Sequence, residues 1–439
     1  MAILIEGGTI VTMDRDRRVA RGDLLVDGGR IVKLGRFAAP PDVERIDARG
    51  CAVIPGLIQA HVHLCQTLFR GAADDKPLLP WLRERIWPLE AAHDPKSLRA
   101  SARLGLAEML LAGTTTILDM GTTHHHDAVF AAMAESGIRG ASGKAMMDAG
   151  EGVPDGLRET TESSLRESDR LRDAWHRAEG DRLRYAYAPR FILSCTETLF
   201  RAVAERAEDG VLMHTHAAEH ADERAAVKQV LGEDDIAALE RWGITGERAI
   251  YAHCVQVREV EMHRMARSGT RVAHCPSANL KLASGIADIP ALKDAGVIVG
   301  IGADGAPCNN RMDPWTELRS AALLAKVRAQ NAAALPAAAA FEMVTIDGAR
   351  ALGWDEDVGS LEVGKKADVA VVRMDELHQE PAGNVYSRLV YATRASDVEH
   401  VLIDGRIVVG ARRLRTMDED EIKSDAREQL AKVFERADL

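Results

Sequence analysis

VIPGLIQAHVH, residues 53–63, is an apolar, strand-like run that ends in two histidines. Residues two apart on a strand point to the same side, so His61 and His63 are predicted to converge at the carboxyl end of this strand. Three later segments carry further residues suited to a metal site: HTHAAE at 214–219, AHC at 252–254 and GADGA at 302–306. Together, the four segments predict a metal site assembled from the ends of several strands.

Beyond residue 56, short β-rich runs alternate with helical segments such as 158–178 and 221–242. This alternation is typical of parallel strands joined by helical crossovers. Eight such units predict a closed (β/α)8 TIM barrel, whose active site lies at the carboxyl ends of its strands. The predicted strands lie near 57–63, 114–120, 139–147, 183–190, 211–216, 248–254, 270–275 and 297–304.

The two flanks of the chain have a different character. Both contain short alternating runs broken by glycine at hairpin-like positions, including Gly7-Gly8, Asp27-Gly28-Gly29 and Asp404-Gly405. We expect them to form one small β-sandwich built from both chain ends rather than two unrelated β subdomains, with a terminal helix near 418–436. The predicted division is 1–55 for the first part of the sandwich, 56–357 for the barrel, and 358–439 for the second part and the helix.

Composition excludes several classes of protein. The 439 residues are 46% hydrophobic and 28% charged, with a net charge of -11, which argues against a nucleic-acid surface. The six cysteines are scattered without a CxxC pair, so reduced thiols are expected. With no secretory leader and no long apolar run, the chain is predicted to be cytoplasmic and to have no membrane span.

The strand-end residues form a ligand set for one metal ion. Three neutral imidazoles and one carboxylate can hold zinc, on which the pKa of a bound water falls toward neutrality. A lone buried histidine is more often an ordinary core residue, but several coincidences at strand ends favour ligands. The predicted ligands are His61, His63, His216 and Asp304.

Other polar residues near the predicted site receive separate interpretations. Glu219 is predicted to move a proton between water and a ring nitrogen, the alternative being a helix-start carboxylate. His253 is predicted to orient or polarise the water, with Asp304 sharing the remaining proton, the alternative for His253 being a hydrogen-bonded core histidine. His214, one pleat deeper than His216, is interpreted as structural. Lys144 is either an anchor for an anionic substrate tail or a surface charge. His124-His125-His126 is interpreted as a loop above the pocket, with at most one substrate contact.

The ordered motifs resemble the amidohydrolase superfamily over essentially the whole chain, in particular its cytosine, adenosine and guanine deaminase branch. The resemblance implies one zinc ion per subunit, with iron as the alternative metal, hydrolytic deamination of a heteroaromatic ring, and a homo-oligomer. The fourth predicted strand offers no lysine for carbamylation, which disfavours a two-metal site. The matching motifs are PGLIQAHVH (55–63), TLFRG (67–71), HAAE (216–219), AHC (252–254), HCPSANLKL (274–282) and GADGA (302–306).

Within that branch, the chain is most similar to S-adenosylhomocysteine, methylthioadenosine and 5'-deoxyadenosine deaminases. By this resemblance, Glu90 accepts hydrogen bonds from ribose hydroxyls and Trp81 packs nearby, the alternatives being a surface glutamate and a core tryptophan. Arg190 departs from the pattern, because many adenosylhomocysteine deaminases have a histidine there and guanine deaminases have a similar Pro-Arg-Phe. Arg190 is therefore either a donor to a purine ring or an ion-paired structural residue.

By this resemblance, the predicted reaction is attack by water on C6 of an adenosine-type nucleoside, giving the inosine analogue and ammonia. One alternative is a guanine or triazine aminohydrolase or chlorohydrolase, because the same site chemistry can act on other electron-poor rings. An alternative of another class is a non-catalytic scaffold with the same fold, which the complete ligand set argues against.

Overall fold

The computed structural model describes residues 2–207 and 210–439. It confirms the (β/α)8 barrel, and each predicted strand is present. A short eighth strand continues into Asp304–Gly305, which pairs with Val62 and His63 of the first strand and so closes the barrel. The barrel strands are Leu57–His63, Thr114–Met120, Arg139–Gly143 (followed by Ala145–Met146), Leu183–Pro189, Leu212–Ala217, Ala249–His253, Arg271–His274, Val299–Ile301 and Asp304–Gly305.

Helices follow the barrel strands as expected from their charged, Ala/Leu-rich sequences. The predicted segment 221–242 is divided into two helices at Gly232, which has a left-handed backbone with φ of 74°. The helices of the barrel are Leu78–Trp81, Trp87–Ala91, Pro95–Leu111, Asp127–Ser136, Thr161–Trp175, Ala178–Asp181, Glu197–Arg206, Ala221–Leu231, Asp235–Arg241, Glu259–Ser268, Pro276–Lys281, Ile289–Asp294, Ala306–Asn309, Pro314–Arg328, Ala337–Met343 and Ile346–Leu352.

The chain ends together form one nine-stranded, mostly antiparallel sheet, so they are not two unrelated subdomains. Cys51–Pro55 joins the halves by pairing antiparallel with Val369–Arg373. The division at residues 55 and 357 stays a prediction. The strands of the sheet are Ile3–Val11, Val19–Asp27, Arg30–Gly35, Glu44–Asp47, Cys51–Pro55, Val369–Arg373, Val398–Ile403, Arg406–Gly410 and Arg413–Leu414, and the remaining helices are Val385–Tyr391 and Glu419–Ala437.

Alternate residues of this sheet pack into two different cores. Val53 and Val371 belong to the core enclosed by the sheet itself. Ile54 and Val372, one residue further along each strand, belong to the large core shared with the barrel helices. This follows from the two-residue period of a strand, and it fastens the sheet to the barrel. The buried pair of Arg139 Nε and Asp368 Oδ2, 2.9 Å apart, adds a polar link between them.

Two of the three predicted glycine hairpins are confirmed. Gly28-Gly29 and Asp404-Gly405 each form a two-residue turn whose residues all have positive φ, as tight hairpins require. The prediction for Gly7-Gly8 is wrong, because these residues lie inside the first strand at a shift of its pairing register. A bulge, like a turn, uses the backbone freedom of glycine, so the sequence signal was ambiguous. Among the described residues, no helix is long and apolar enough to cross a membrane.

Candidate metal centre and active site

The four predicted metal ligands converge at the carboxyl ends of the barrel strands. Their ligand atoms all lie within 4.8 Å of one another. Asp304 Oδ1 lies 3.2 Å from His61 Nε2 and 3.4 Å from His63 Nε2, and the Nε2 atoms of His63 and His216 are 3.2 Å apart. The first, fifth and eighth strands of the barrel supply these residues.

The protonation of the rings shows that this cluster fits a cation. Nδ1 of His63 lies 2.7 Å from the carbonyl oxygen of Met120, and Nδ1 of His216 lies 2.8 Å from that of Arg190. Each Nδ1 is therefore assigned as an N–H donor, which leaves a lone pair on each Nε2. Two lone pairs that face each other at 3.2 Å repel unless a cation lies between them. Tetrahedral zinc with bonds of 2.0–2.1 Å separates its nitrogen ligands by about 3.3 Å.

Burial keeps these imidazoles neutral, as metal ligands must be. Burial, helped by the proximity of the His61 imidazole, lowers the pKa of His63 to about 3. Burial also lowers the pKa of His216 well below its ordinary value. Burial alone would raise the pKa of Asp304, but the electrostatic effect of the adjacent imidazoles of His61, His253 and His63 outweighs it and lowers this pKa well below its ordinary value.

His214 supports the predicted ligand His61 from behind. Its Nε2 lies 2.9 Å from Nδ1 of His61, which directs Nε2 of His61 toward the cluster. That Nε2 is fully buried and makes no hydrogen bond within the described part of the chain, as expected of a ligand atom. The structural role predicted for His214 is therefore to orient the His61 ring, because the hydrogen-bond partner of a metal-binding histidine fixes the orientation of its ring.

Glu219 and His253 lie beside the ligand cluster without belonging to its four-ligand set. Glu219 Oε2 is 3.5 Å from His253 Nε2, which is 3.8 Å from Asp304 Oδ2. Burial, together with the charge of Asp304, raises the pKa of Glu219 well above its ordinary value. His253 Nδ1 donates to Oδ1 of Asn279 at 2.8 Å, so its Nε2 faces the cluster. A carboxyl group with a raised pKa and an oriented imidazole thus adjoin the predicted metal ligands.

The backbone at the site is unusual. His253 and Asp304 have φ of 74° and 62°, in the left-handed region that residues other than glycine seldom occupy. Such conformations cost about 1–3 kcal/mol each and cluster at functional sites, where the surroundings enforce them. His253 is the last residue of its barrel strand, and Asp304 is the first residue of the short strand Asp304–Gly305 that closes the barrel.

A segment after the first strand covers this end of the barrel. It includes a π-helical turn, Leu82–Ile86, between the helices Leu78–Trp81 and Trp87–Ala91. Trp81 is buried in an apolar cluster with Phe191 and Cys275. The sulfur of Cys275 lies within 4.8 Å of ligand atoms of His61 and His253, which sequence analysis missed.

The structure pairs two of the predicted substrate residues with each other. Arg190 Nη1 donates to Glu90 Oε2 at 2.6 Å, and Nη2 donates to Oε1 at 3.1 Å. Gln66, which sequence analysis missed, donates to Glu90 Oε1 at 2.7 Å. Burial would raise the pKa of Glu90, but the charge and hydrogen bonds of Arg190 lower it below its ordinary value. Glu90 is not a surface residue, Arg190 is ion-paired, and their roles toward a substrate stay predictions.

Lys144 is fully buried, so the surface-charge alternative is wrong. Its ammonium group lies 2.6 Å from Glu159 Oε2, 3.1 Å from Ser164 Oγ and 3.2 Å from the carbonyl oxygen of Ala145. These three acceptors account for all three of its protons. Lys144 therefore fastens the loop after the third strand in this structure and has no spare donor for a substrate tail.

The three consecutive histidines lie in a loop, as predicted, but they do not share one environment. His124 and His125 are exposed, whereas His126 is 1% exposed and points into the protein. Its Nε2 lies 2.8 Å from Oγ of Ser142, on the third strand. The run therefore divides into two surface residues and one core residue.

Comparison with known proteins agrees with this fold and site. Residues 52–408 match the amidohydrolase family, and the chain belongs to that family. It is 39% identical to a 5-methylthioadenosine/S-adenosylhomocysteine deaminase of Natronomonas pharaonis over 437 residues, 99% of this chain and 98% of that relative.

Two solved structures extend the comparison. An adenosine deaminase from Xanthomonas campestris with bound zinc superposes with a TM-score of 0.91 at 34% identity, covering 98% of each chain. An atrazine chlorohydrolase from Arthrobacter aurescens complexed with zinc has a TM-score of 0.91 at 28% identity, covering 98% of this chain and 100% of that one. The histidine and aspartate cluster and these zinc-containing structures together support a metal cofactor.

Proposed function

We propose that this chain is a zinc-dependent hydrolytic deaminase of an adenosine-type nucleoside, with one ion per subunit. The observation that carries the proposal is the apposition of the His63 and His216 lone pairs at 3.2 Å, with Asp304 Oδ1 3.4 Å from His63 Nε2 and Glu219 Oε2 3.5 Å from His253 Nε2 beside them. The relative named a 5-methylthioadenosine/S-adenosylhomocysteine deaminase and the zinc-containing adenosine deaminase support the substrate class. 5'-Deoxyadenosine, methylthioadenosine and S-adenosylhomocysteine are the proposed substrates.

The proposed ligands are His61, His63, His216 and Asp304. Zinc, when bound, would act as a Lewis acid and lower the pKa of a water toward neutrality. Glu219 takes the proton that this water loses on adding to C6 of the purine, and passes it to N1. Its high pKa lets the carboxyl group hold that proton between the two positions.

His253 and Asp304 complete the proposed proton transfers. Nε2 of His253 lies between Glu219 and Asp304, where it orients the attacking water. The two residues receive the second proton of that water and deliver it to the amino group, which leaves C6 as ammonia. The apolar cluster above the site, which contains Trp81, limits the access of bulk water.

Substrate recognition is assigned to Glu90 and Arg190. Glu90 has a further acceptor position on Oε2 for a ribose hydroxyl, and its carboxylate is kept ionised by Arg190. Trp81 packs nearby. Lys144 takes no part in recognition unless its bond to Glu159 opens.

The competing enzyme function is a guanine or triazine aminohydrolase or chlorohydrolase. Arg190 favours it, because a guanidinium can donate to a ring nitrogen or oxygen, and the atrazine chlorohydrolase shares the fold. The non-catalytic scaffold is disfavoured because all four ligand positions are filled. We further propose, from the resemblance and the net charge of -11, a cytoplasmic homo-oligomer that binds neither nucleic acid nor membranes.

Ammonia release from a substrate panel tests the proposal. We expect the zinc-loaded protein to deaminate 5'-deoxyadenosine, methylthioadenosine, S-adenosylhomocysteine or adenosine, and not guanine or a chlorotriazine. The physical reason is that Glu90 offers an acceptor for ribose hydroxyls, which guanine and triazines lack. Turnover of guanine or the triazine alone would contradict the nucleoside assignment and favour Arg190 as the dominant contact.

The Glu90→Gln variant sharpens the same test. An amide keeps the shape of the carboxylate but weakens acceptance from ribose hydroxyls, because bonds to charged groups are the stronger ones. The variant should therefore lose kcat/KM on nucleosides while its zinc content is unchanged. Glu84→Gln, on the exposed part of the same covering segment, is the matched control.

A further inference from the structure

His126 is the one buried histidine of the run His124-His125-His126, and the proposed mechanism gives it no role. Its ring packs against Gly121, where an added Cβ would lie 2.3 Å from Nδ1 of His126. This Nδ1 has no hydrogen-bond partner within residues 2–207 and 210–439. The proton is therefore assigned to Nε2, which faces Ser142.

A hydrogen-bonded chain begins at this Nε2. His126 Nε2 donates to Oγ of Ser142 at 2.8 Å, and Ser142 Oγ donates to Oδ2 of Asp119 at 2.6 Å. The other carboxyl oxygen of Asp119 accepts the backbone N–H of Leu64 at 2.8 Å. All three side chains are at most 1% exposed, so these bonds are made without competition from water.

This series of hydrogen bonds ends next to the proposed metal ligand His63. Leu64 directly follows His63, so Asp119 holds the backbone at the point where the first strand ends. Met120 directly follows Asp119, and its carbonyl oxygen accepts the Nδ1–H of His63 at 2.7 Å. Two consecutive residues thus fix both the backbone and the ring of one ligand.

We propose that Asp119, Ser142 and His126 are positioning residues that hold His63 in its metal-binding orientation. The inference rests on the proposed metal site, and none of the three residues touches the substrate. Their order matters: Asp119 bonds directly to the backbone after His63, Ser142 orients Asp119, and His126 orients Ser142. Outer partners of this kind typically contribute 10- to 100-fold to metal affinity.

The test measures the affinity of the full-length variants for Zn²⁺ by competition with a chelator. Asp119→Ala and Ser142→Ala should bind Zn²⁺ about 10- to 100-fold more weakly than the unmodified protein. His126→Ala should show a smaller loss in the same direction. His126→Gln keeps an N–H near the position of Nε2 and should restore most of the affinity. His124→Ala, which removes an exposed histidine of the same loop, is the matched control and should change nothing.

A second readout separates positioning from general destabilisation. With Co²⁺ in place of Zn²⁺, visible absorption reports the geometry of the ligands, and we expect altered bands for Ser142→Ala and His126→Ala. A variant that only destabilises the fold would lower the free energy of unfolding of the metal-free protein but leave the Co²⁺ absorption bands unchanged. That result for Ser142→Ala and His126→Ala would overturn the inference. If Asp119→Ala does not fold, Ser142→Ala and His126→Ala decide the outcome.

Unchanged Zn²⁺ affinity in Ser142→Ala and His126→Ala would overturn the inference. Failure of the proposed function looks different: the unmodified protein would bind Zn²⁺ and release no ammonia from any nucleoside. In that case, weaker Zn²⁺ binding by the variants would still support the positioning role. Zn²⁺ affinity therefore tests the positioning role, and ammonia release tests the proposed function independently.

Discussion

Glu219→Gln should lower kcat on 5'-deoxyadenosine by about 1,000-fold, equivalent to about 4 kcal/mol of barrier, while the metal content stays the same. An amide fills the same space but cannot take a proton from water and deliver it to N1. Glu219 lies outside the four-ligand cluster, so its loss should not release the metal. Steady-state kinetics on the zinc-loaded variant, with metal analysis of the same sample, checks the result.

The control for this variant is Asp222→Asn, which changes an exposed carboxylate three residues further along the chain. It should have the activity of the unmodified protein. Glu219→Gln with undiminished kcat would remove Glu219 from the mechanism. Loss of both metal and activity would instead make Glu219 a ligand.

His216→Ala should bind zinc about 100- to 1,000-fold more weakly and lose activity in proportion. Structural zinc sites with four ligands are worth about 10–16 kcal/mol, so one ligand corresponds to roughly 2.5–4 kcal/mol. Competition with a chelator, combined with ammonia release at saturating zinc, measures both effects.

His263→Ala is the matched control, because His263 is an exposed histidine on the helix Glu259–Ser268. It should bind zinc as the unmodified protein does. Full zinc affinity in His216→Ala would show that His216 is not a ligand, and the four-ligand site would then be wrong.

The arrangement of the barrel and the metal cluster could be predicted because both follow from local periodicity. His61 and His63 share one face of a strand, and parallel strands in a closed barrel present their carboxyl ends at the same rim. His216 and Asp304 could be placed at the same rim once the eight barrel strands had been assigned, because both lie at the carboxyl ends of predicted strands. The two glycine hairpins were predictable for a similar reason, since their backbone requirements are local.

The contacts between distant residues could not be predicted in this way. Glu90 and Arg190 are 100 positions apart, and no periodicity in either segment reports that a covering helix brings them together. His126 gave no sign of burial, because three consecutive histidines differ only in where the loop turns. Gly7-Gly8 was misread because a bulge and a turn use the same freedom of the backbone.

The central claim is that a metal held by the strand-end cluster drives nucleoside deamination. The most direct measurement removes the metal with a chelator, restores one equivalent of Zn²⁺ per chain, and follows ammonia release from 5'-deoxyadenosine at each stage. The proposal predicts that activity disappears with the metal and returns with a single equivalent, together with an inosine-type product. Deamination that persists in the metal-free protein, or fails to appear with fully bound zinc across the whole nucleoside panel, would contradict it.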